Sequence, residues 1–353
     1  MITDLRLQNF RSYRDASFEL GPGVNIVVGP NASGKTNLLE ALLVLARGGS
    51  YRAKDSELVS FGRPWARLDA HLARGGQRTV KLTPSGAPAK TYELDGKTYQ
   101  RLSLAHSLPV VLFEPEHLRL LSGGPERRRD YLDDLLEQTL VGYGSLRRQY
   151  RRALAQRNRL LKQPGASQAQ VFPWNVRLSE LAGQIVRARD QLAGRLDSDT
   201  GKLYRKLSGT RAKVNLEYQA RWPAEQYETG LLKALDASLD QDRQYGFTSA
   251  GPHREDLAVL FNGRPAQEMA SRGEVRTAVL ALKIIELKII EEIRQTTPLL
   301  LLDDVFSELD GKRRHALTDY LAPYQTFITT TDADAVIGHF TESANIIPVK
   351  TKS

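Results

Sequence analysis

The sequence contains no cysteine, and this absence excludes disulfides, thiol catalysis and cysteine-ligated metal sites. A long apolar run is missing as well. The stretch at residues 298–302 stops at Asp303, far short of the roughly 20 residues that a membrane span needs. The N-terminal segment lacks a basic region followed by an apolar one, so it does not resemble a signal peptide. We therefore expect a protein of the reducing cytoplasm.

Positive charge is what the sequence has in excess. Lysine and arginine number 50 against 41 acidic residues, which leaves a formal net charge of +9. Such a balance favours a polyanionic partner without identifying it. With 353 residues the chain is long enough to form two or three substructures, each with a core of its own.

One stretch of the sequence fits the phosphate-binding pattern G-x-x-x-x-G-K-[ST]. It consists of Gly29, Pro30, Asn31, Ala32, Ser33, Gly34, Lys35 and Thr36. A buried strand is predicted just before it and a helix just after it, which is the context that distinguishes this motif from a chance glycine turn. Backbone amides of the loop would bind phosphate, Lys35 would reach the terminal phosphates, and the Thr36 hydroxyl would bind Mg²⁺. The pattern predicts a nucleoside triphosphate site.

A second apolar strand ends in two acids, Asp303 and Asp304. In a parallel sheet its carboxyl end would lie beside the phosphate loop. Asp303 would complete the Mg²⁺ shell through water, and Asp304 would orient or deprotonate the attacking water. Such a strand is a weak signal by itself and becomes strong only together with the loop.

Hydrophobic periodicity divides the chain into three segments. Residues 1–124 read as strands around the phosphate loop, with short antiparallel strands between about 55 and 104. Residues 125–210 read as two long helical stretches with a break near 163–167. The first, to about residue 162, is strongly basic, and the second runs from about residue 174 to 207; together they predict an inserted helical arm or an ordinary helical subdomain. Residues 211–353 return to strands and include a long amphipathic helix from about 274 to 294.

Three stretches resemble the RecF family of the ATP-binding-cassette superfamily. They are residues 5–13 (LRLQNFRSY), 115–133 (PEHLRLLSGGPERRRDYLD) and 301–310 (LLDDVFSELD). The resemblance covers nearly the whole chain. It implies an α/β fold: a cassette-type ATPase head with a mixed sheet around the phosphate loop, an antiparallel β subdomain and an inserted helical arm.

The same resemblance implies a function in DNA replication and recombinational repair. The expected protein is an ATP-dependent clamp that binds single-strand gaps and, with RecO- and RecR-like partners, helps to load a RecA-type recombinase. ATP with Mg²⁺ would drive a head-to-tail homodimer, and slow, DNA-stimulated hydrolysis would release it.

In such a dimer the second face of each ATP would be a signature motif from the other chain. The candidate is Ser271, Arg272, Gly273 and Glu274, at the start of the long helix. The similar segment 121–124 (LSGG) lies too far before the acidic strand. Ser307 and Asp310 would lie at the dimer junction.

Three departures from the family pattern bear on catalysis. Glu274 replaces a glutamine, and its charge would repel phosphate unless it faces away. Thr331 falls where many cassette ATPases have a histidine, and Asp304 replaces their usual glutamate. A shorter acid and no histidine are compatible with slow hydrolysis, which suits a switch.

Arginines of the predicted arm are the candidate DNA-binding residues, namely Arg147, Arg148, Arg151, Arg152 and Arg157. They would contact phosphates with little sequence preference. Some of them could instead pair with Asp133 and Asp134. Arg11 could contact the nucleotide or be a plain surface residue.

Other classes of protein remain open. A structural DNA-binding ATPase like the chromosome-maintenance proteins or RecN would share the motifs, although chromosome-maintenance proteins carry far longer coiled coils. A transporter ATPase would share the loop and the acidic strand but lack the long insertion. A static DNA-binding protein with a vestigial ATP site would bind DNA equally well with or without ATP.

Overall fold

The computed structural model describes residues 1–86, 89–331, 336, 338, 340 and 344–350. The chain forms two compact units. The first unit comprises Met1–His117 and Glu286–Ser353, and the second unit comprises Leu118–Ile285. No helix of the described residues is long and apolar enough to cross a membrane.

Runs of strands and runs of helices follow one another along the chain. The strands are β1 (Ile2–Phe10), β2 (Tyr13–Glu19), β3 (Val24–Val28), β4 (Ala66–Leu72), β5 (Gln77–Leu82), β6 (Lys90–Leu94), β7 (Lys97–Tyr99), β8 (Val110–Phe113), β9 (Val214–Gln219), β10 (Asp256–Phe261), β11 (Arg264–Pro265), β12 (Leu299–Leu302), β13 (Thr326–Thr330) and β14 (Asn345–Pro348). The helices are α1 (Lys35–Arg47), α2 (Asp55–Leu58), α3 (Pro125–Thr139), α4 (Tyr143–Leu161), α5 (Gln168–Ser208), α6 (Tyr227–Ala237), α7 (Leu239–Tyr245), α8 (Ala266–Met269), α9 (Arg272–Arg294), α10 (Val305–Glu308) and α11 (Gly311–Leu321).

The first unit contains an antiparallel sheet with the strand order β2-β1-β4-β5-β6-β7. Buried and exposed residues alternate in the middle of β1, where Leu5 and Leu7 are almost fully buried, because one face of the sheet is covered. Asp95 and Gly96 both have positive φ, as a two-residue hairpin turn with the sheet's twist requires. The antiparallel strands predicted between residues 55 and 104 are confirmed.

A parallel sheet in the same unit has the strand order β14-β3-β13-β12-β8. All four residues of β12 are buried, as expected of a strand covered on both faces. β13 lies between β3 and β12, so the carboxyl ends of these three strands meet at one edge of the sheet. This edge holds the phosphate loop and both aspartates. β14 pairs with β3 over only a few residues, and the sequence analysis did not predict it.

Helices of the second unit differ in two places from the sequence prediction. The first helical stretch is broken into α3 and α4 at Gly142, which has a left-handed backbone. α5 begins at Gln168, about six residues before the predicted start near residue 174. The side chains of Ser167 and Gln170 form a capping box that satisfies the free amides of its first turn.

Residues 211–285 belong to the second unit, whereas the sequence analysis grouped them with residues 286–353. β9 and α6 both pack on α5, and β9 buries Val214, Leu216 and Tyr218. These elements share one core with the long helices. The boundary between the two units runs through α9, between Ile285 and Glu286.

Candidate nucleotide-binding site

The phosphate loop connects β3 to α1 through residues 29–34. Ala32 and Gly34 have positive φ, at 62° and 109°, so the chain turns sharply before the helix begins. A side chain on Gly34 would approach Ser12 Oγ to 2.7 Å, and one on Gly29 would come within 2.3 Å of the Val349 carbonyl oxygen. Both positions therefore require glycine, for space as well as for backbone conformation at Gly34.

Lys35 lies over this loop. Its Nζ donates to the carbonyl oxygens of Gly29 at 2.9 Å and Pro30 at 3.0 Å, and the residue is 5% exposed. These carbonyls hold the ammonium group over the loop that is expected to bind phosphate. Because the group has three N–H donors, one remains for a phosphate oxygen. The buried Ser33 Oγ has no hydrogen-bond partner among the described residues, so the loop carries a polar group that a ligand could satisfy.

Thr36 and Asp303 converge at the edge of the parallel sheet. Thr36 Oγ1 donates to Asp303 Oδ1 at 3.0 Å, and Thr329 Oγ1, on the strand between them, donates to the same oxygen at 2.8 Å. A hydroxyl and a carboxylate completed by phosphate and water are the ligands that Mg²⁺ prefers in nucleotide sites. This donor set fits the predicted magnesium position.

Thr329 also connects the two acids of the site, because its Oγ1 accepts a hydrogen bond from the Asp304 backbone amide at 2.8 Å. The Tyr51 hydroxyl makes a longer contact of 3.4 Å with Asp303 Oδ2. The sequence analysis missed Thr329 and Tyr51. The run of threonines at residues 329–331, at the end of a buried strand, could have pointed to Thr329. No pattern in the sequence near Tyr51 pointed to the site.

Asp304 adopts a left-handed backbone conformation, with φ of 52°, and is half-buried. Burial raises the pKa of its carboxyl above the ordinary value, and the neighbouring Asp303 raises it further. A carboxylate with a raised pKa is a stronger base, which is the property that a group activating water needs. Thr331, at the position of the missing histidine, is exposed just after β13.

A buried carboxylate, Glu40, lies on α1 behind the loop. Arg11 binds it with two hydrogen bonds of 2.8 Å each, and Arg52 adds one of 3.0 Å. Burial alone would raise the pKa of Glu40, but hydrogen bonds from Arg11, Arg52 and Ser50 outweigh it and lower the pKa to about 2. Because its guanidinium is bound to Glu40, Arg11 is not a free surface arginine. These contacts also give no support to a role in phosphate binding.

Ser271 and Glu274 form a capping box at the start of α9. The Glu274 carboxylate accepts from the Ser271 amide and hydroxyl, both at 2.8 Å, while the Glu274 amide donates to Ser271 Oγ at 3.3 Å. This arrangement gives the unexpected acid a local role, because it satisfies the first turn of the helix. Arg272 is exposed and Gly273 is partly exposed beside it.

The two predicted junction residues follow the acidic strand. Ser307 Oγ donates to the Asp304 carbonyl oxygen at 2.6 Å. Asp310 caps α11 by accepting from the Arg313 amide at 3.0 Å, and its carboxylate also binds the Arg313 side chain. Both side chains are exposed at the ends of short helices, next to Asp304 in sequence.

Two of the predicted DNA-binding arginines are structural. Arg157 is fully buried and donates to Asp242 at 2.7 Å and to Thr248 at 2.9 Å. Arg147 forms ion pairs with three acids, and its side chain is only 14% exposed. A guanidinium enclosed by acids has neither the access nor the free charge to bind a phosphate backbone. The prediction for Arg157 is therefore wrong, and Arg147 is a poor candidate.

The other three arginines of that set are exposed on α4. Arg148, Arg151 and Arg152 point away from the buried stripe of the helix, and none has an ion-pair partner among the residues that the structure describes. They remain available for a polyanion.

Comparison with known proteins identifies the family. Residues 1–351 match the family model described as the RecF/RecN/SMC N terminal domain. The DNA replication and repair protein RecF of Heliobacterium modesticaldum is 36% identical over 346 residues, which are 95% of this chain and 93% of that protein. The protein of the same name from Acaryochloris marina is 35% identical and covers 99% of this chain and 97% of its own length.

Solved structures agree with the sequence relatives. A structure described as the recombination mediator protein RecF-ATPrS in the RecFOR pathway superposes with a TM-score of 0.88 at 31% identity, over 95% of this chain and 94% of that one. A second one, described as RecF-ATP in the same pathway, has a TM-score of 0.84 at 32% identity, over 94% and 92% of the two chains. The predicted fold class is confirmed, and the chain belongs to the RecF family within the RecF/RecN/SMC group.

Proposed function

We propose that this protein is an ATP-dependent DNA-binding clamp of replication and recombinational repair. It binds DNA at single-strand gaps and works with RecO- and RecR-like partners to load a RecA-type recombinase. The observation that carries the proposal is the convergence of Lys35, Thr36, Asp303 and Asp304 at one sheet edge, in a chain whose relatives are named for DNA repair. The solved relative described as RecF-ATP supports ATP as the nucleotide.

Each residue of the site has a distinct role in this proposal. Loop amides and Lys35 bind the phosphates, and the hydrogen bonds of Lys35 to loop carbonyls keep its ammonium group in place beforehand. Thr36 and Asp303 hold Mg²⁺, which would neutralise developing charge on the phosphate oxygens. Asp304 accepts a proton from the attacking water, aided by its raised pKa. Without a histidine at Thr331, hydrolysis is slow and stimulated by DNA.

Dimerisation supplies the second half of the site. Ser271 and Gly273 of one chain contact the γ-phosphate bound by the loop of another chain, because a serine hydroxyl and helix N-terminal amides are good phosphate ligands. In the free chain the Glu274 carboxylate occupies those Ser271 donors. ATP must displace it, so dimerisation requires Glu274 to turn away. Ser307 and Asp310 lie at the junction and couple the two sites.

DNA contacts the second unit through exposed cations. Arg148, Arg151 and Arg152 on α4 supply the phosphate contacts in this proposal. Single-stranded DNA also needs flat surfaces for its bases. Tyr245 and Phe247 offer one: their rings stack at 15° with centroids 5.5 Å apart, and they are 55% and 41% exposed.

The decisive experiment measures molecular mass by light scattering without nucleotide, with ADP and with ATP, each with and without gapped DNA. A monomer in the first two conditions and a dimer with ATP are expected, with DNA binding strengthened by ATP. Lys35→Met is the matched control and should stay monomeric in all conditions. Equal mass and equal DNA affinity with and without ATP would establish the rival function, a static DNA-binding protein.

A further inference from the structure

A cavity of about 600 Å³ lies in the first unit, between the β5–β7 part of the antiparallel sheet and the segment 105–109. Its volume is within the range of small-molecule sites. The charged and aromatic residues that line it are Arg78, Asp95, Lys97, Tyr99, His106 and Arg294. Leu108 of its wall donates its amide to the Ala46 carbonyl in the last turn of α1. Since Lys35 begins that helix, the cavity wall is roughly 16 Å from the phosphate loop along α1.

Arg78 is the unusual group in this cavity. It is 7% exposed, and its Nη2 donates to the His106 carbonyl oxygen at 2.6 Å. Its Nε is buried without a hydrogen-bond partner among the described residues. The carboxylate of Asp95 acts on the guanidinium through its charge, and its effect on the pKa of Arg78 is smaller than that of burial. Buried arginines are normally paired with acids, because a guanidinium has five donors and a full charge to satisfy. Arg78 therefore has unused hydrogen-bonding capacity and a charge that is only partly compensated.

Arg294 brings a second positive charge to the same wall. Its Nη2 donates to the carbonyl oxygens of Leu104 at 2.8 Å and Ser107 at 2.9 Å. Burial lowers the pKa of Arg294, and it lowers the pKa of Arg78 to about 10. Burial is the main cause of both shifts, and in Arg78 the attraction of Asp95 opposes it in part.

The acid at the cavity, Asp95, compensates the charge of Arg78 only in part. Asp95 lies at the exposed β6–β7 turn, where its Oδ1 accepts the Gln77 amide at 2.8 Å. Lys97, two residues later, also lines the cavity. Positive side chains thus outnumber acids among the charged residues of its lining.

We propose that the cavity binds a small organic molecule through a carboxylate or phosphate group that hydrogen-bonds Arg78. A planar anionic group matches the fork of a guanidinium and would supply the charge that Arg78 lacks. The organic part of the ligand packs against Tyr99 and His106, whose rings lie 4.5 Å apart. This site is separate from the proposed ATP site and does not depend on the proposed function.

A purely structural role for both arginines is the alternative. Arg294 fits it, because it holds two carbonyls of the turn after residue 103. Arg78 fits it poorly, because a single bond to His106 O could be made by an uncharged side chain without burying a cation. The two roles predict different behaviour when an anion is added.

The test uses the Lys35→Met protein, so that anions cannot register at the phosphate loop, and titrates it with inorganic phosphate, citrate and acetate. Nitrogen-15 labelling of arginine Nε gives a local readout, because the Arg78 Nε–H is buried and should be visible. We expect its resonance to shift saturably, in parallel with heat measured by calorimetry. Phosphate and the carboxylates serve as separate arms that identify the preferred anionic group.

Three variants distinguish the contribution of the Arg78 charge from that of the open cavity. Arg78→Gln should weaken binding at least about tenfold, the loss of one good ionic hydrogen bond. Leu94→Trp keeps both arginines but fills the cavity, so it should also weaken binding of the anion. Arg67→Gln, on the neighbouring strand and paired with Asp69, is the control and should bind like the parent. An Arg78 resonance that none of the three anions moves would overturn the proposal, as would binding that survives both Arg78→Gln and Leu94→Trp.

Discussion

Adjacent residues at the catalytic edge have different environments. Asp303 accepts hydrogen bonds from Thr36 and Thr329, which fix the orientation of its carboxylate at the proposed metal position. Asp304 donates its amide to Thr329, and burial together with the neighbouring Asp303 raises the pKa of its carboxyl. These environments suit the two roles that we propose for the acids, metal ligand for Asp303 and base for Asp304.

Replacing Asp304 with asparagine tests the assignment of the base. We expect Asp304→Asn to reduce ATP turnover by about 100-fold or more, the usual contribution of a general base, and to trap the ATP-bound dimer. Because folding raises the pKa of Asp304, its ionisation opposes folding, so the variant should melt no lower than the parent. Turnover and melting temperature are the measurements. Parent activity should also fall as the pH drops through that raised pKa. Normal turnover in the variant would remove Asp304 from catalysis.

Glu40 gives a prediction about acid stability. Its pKa is about 2 in the folded protein against an ordinary 4.5, so its contribution is present above about pH 4.5 and is lost as the pH falls towards 2. Glu40→Gln should lower the free energy of unfolding at pH 7 by about 3 kcal/mol, because it leaves Arg11 and Arg52 without their carboxylate.

Urea unfolding at a series of pH values checks this, and the variant should show a shallower loss of stability between those two pH values. Asp15→Asn is the control, since Asp15 pairs with Arg6 on the exposed surface. An equal effect of both substitutions would contradict the special role of Glu40.

At the scale of elements, α4 shows how helical periodicity separates binding residues from structural ones. Tyr150, Ala153, Arg157 and Leu161 recur at spacings of three and four and form the buried stripe of this helix. Arg157 therefore lies on the core face by spacing alone. The sequence interpretation grouped all arginines of this helix as one basic surface and so overlooked the spacing that places Arg157 in the core.

Substitutions on the exposed face of α4 should weaken DNA binding, whereas a substitution on its buried face should weaken stability. The double substitution Arg151→Gln with Arg152→Gln should weaken DNA binding several-fold. It should also make the slope of log affinity against log salt concentration shallower by the amount that about two phosphate contacts contribute. The free energy of unfolding should change by no more than about 0.5 kcal/mol. Arg157→Gln should instead cost about 3 kcal/mol of stability, because it leaves Asp242 buried without its partner. Binding measured against salt concentration, together with urea unfolding, distinguishes the two. Unchanged DNA affinity in the double variant would move the DNA surface elsewhere.

At the scale of the whole molecule, the two proposed halves of the ATP site lie in different units of the chain. The phosphate loop and both aspartates belong to the first unit, whereas Ser271 and Glu274 belong to the second. A chain that contributes one half to each of two sites is suited to self-association, because a head-to-tail dimer completes both sites at once.

Mixing two inactive variants tests this arrangement. Lys35→Met should not bind ATP, and Ser271→Arg should bind it without dimerising. A mixed dimer would contain one intact site out of two. Because neither variant pairs with itself, equal amounts should regain up to about half of the parent ATPase activity. Turnover of each variant alone and of the mixture is the measurement. A mixture as inactive as its components would argue against a site shared between chains.

Sequence alone determined the features that depend on neighbours along the chain. The glycines of the phosphate loop, the strand before it, the helix after it and the acids at the end of β12 all follow from short-range patterns, because turn geometry and burial of one face constrain adjacent residues. The resemblance to the RecF family extended these patterns to the fold, and the comparisons confirmed it.

Tertiary structure decided the features that depend on contacts across hundreds of residues. Strand order places Thr329 between Thr36 and Asp303, and no local pattern encodes that order. Packing on α5 assigns residues 211–285 to the second unit and encloses Arg157 with Asp242. The physical reason is that hydrogen bonding and desolvation act through space, so a residue's partners are known only once the chain has folded around it.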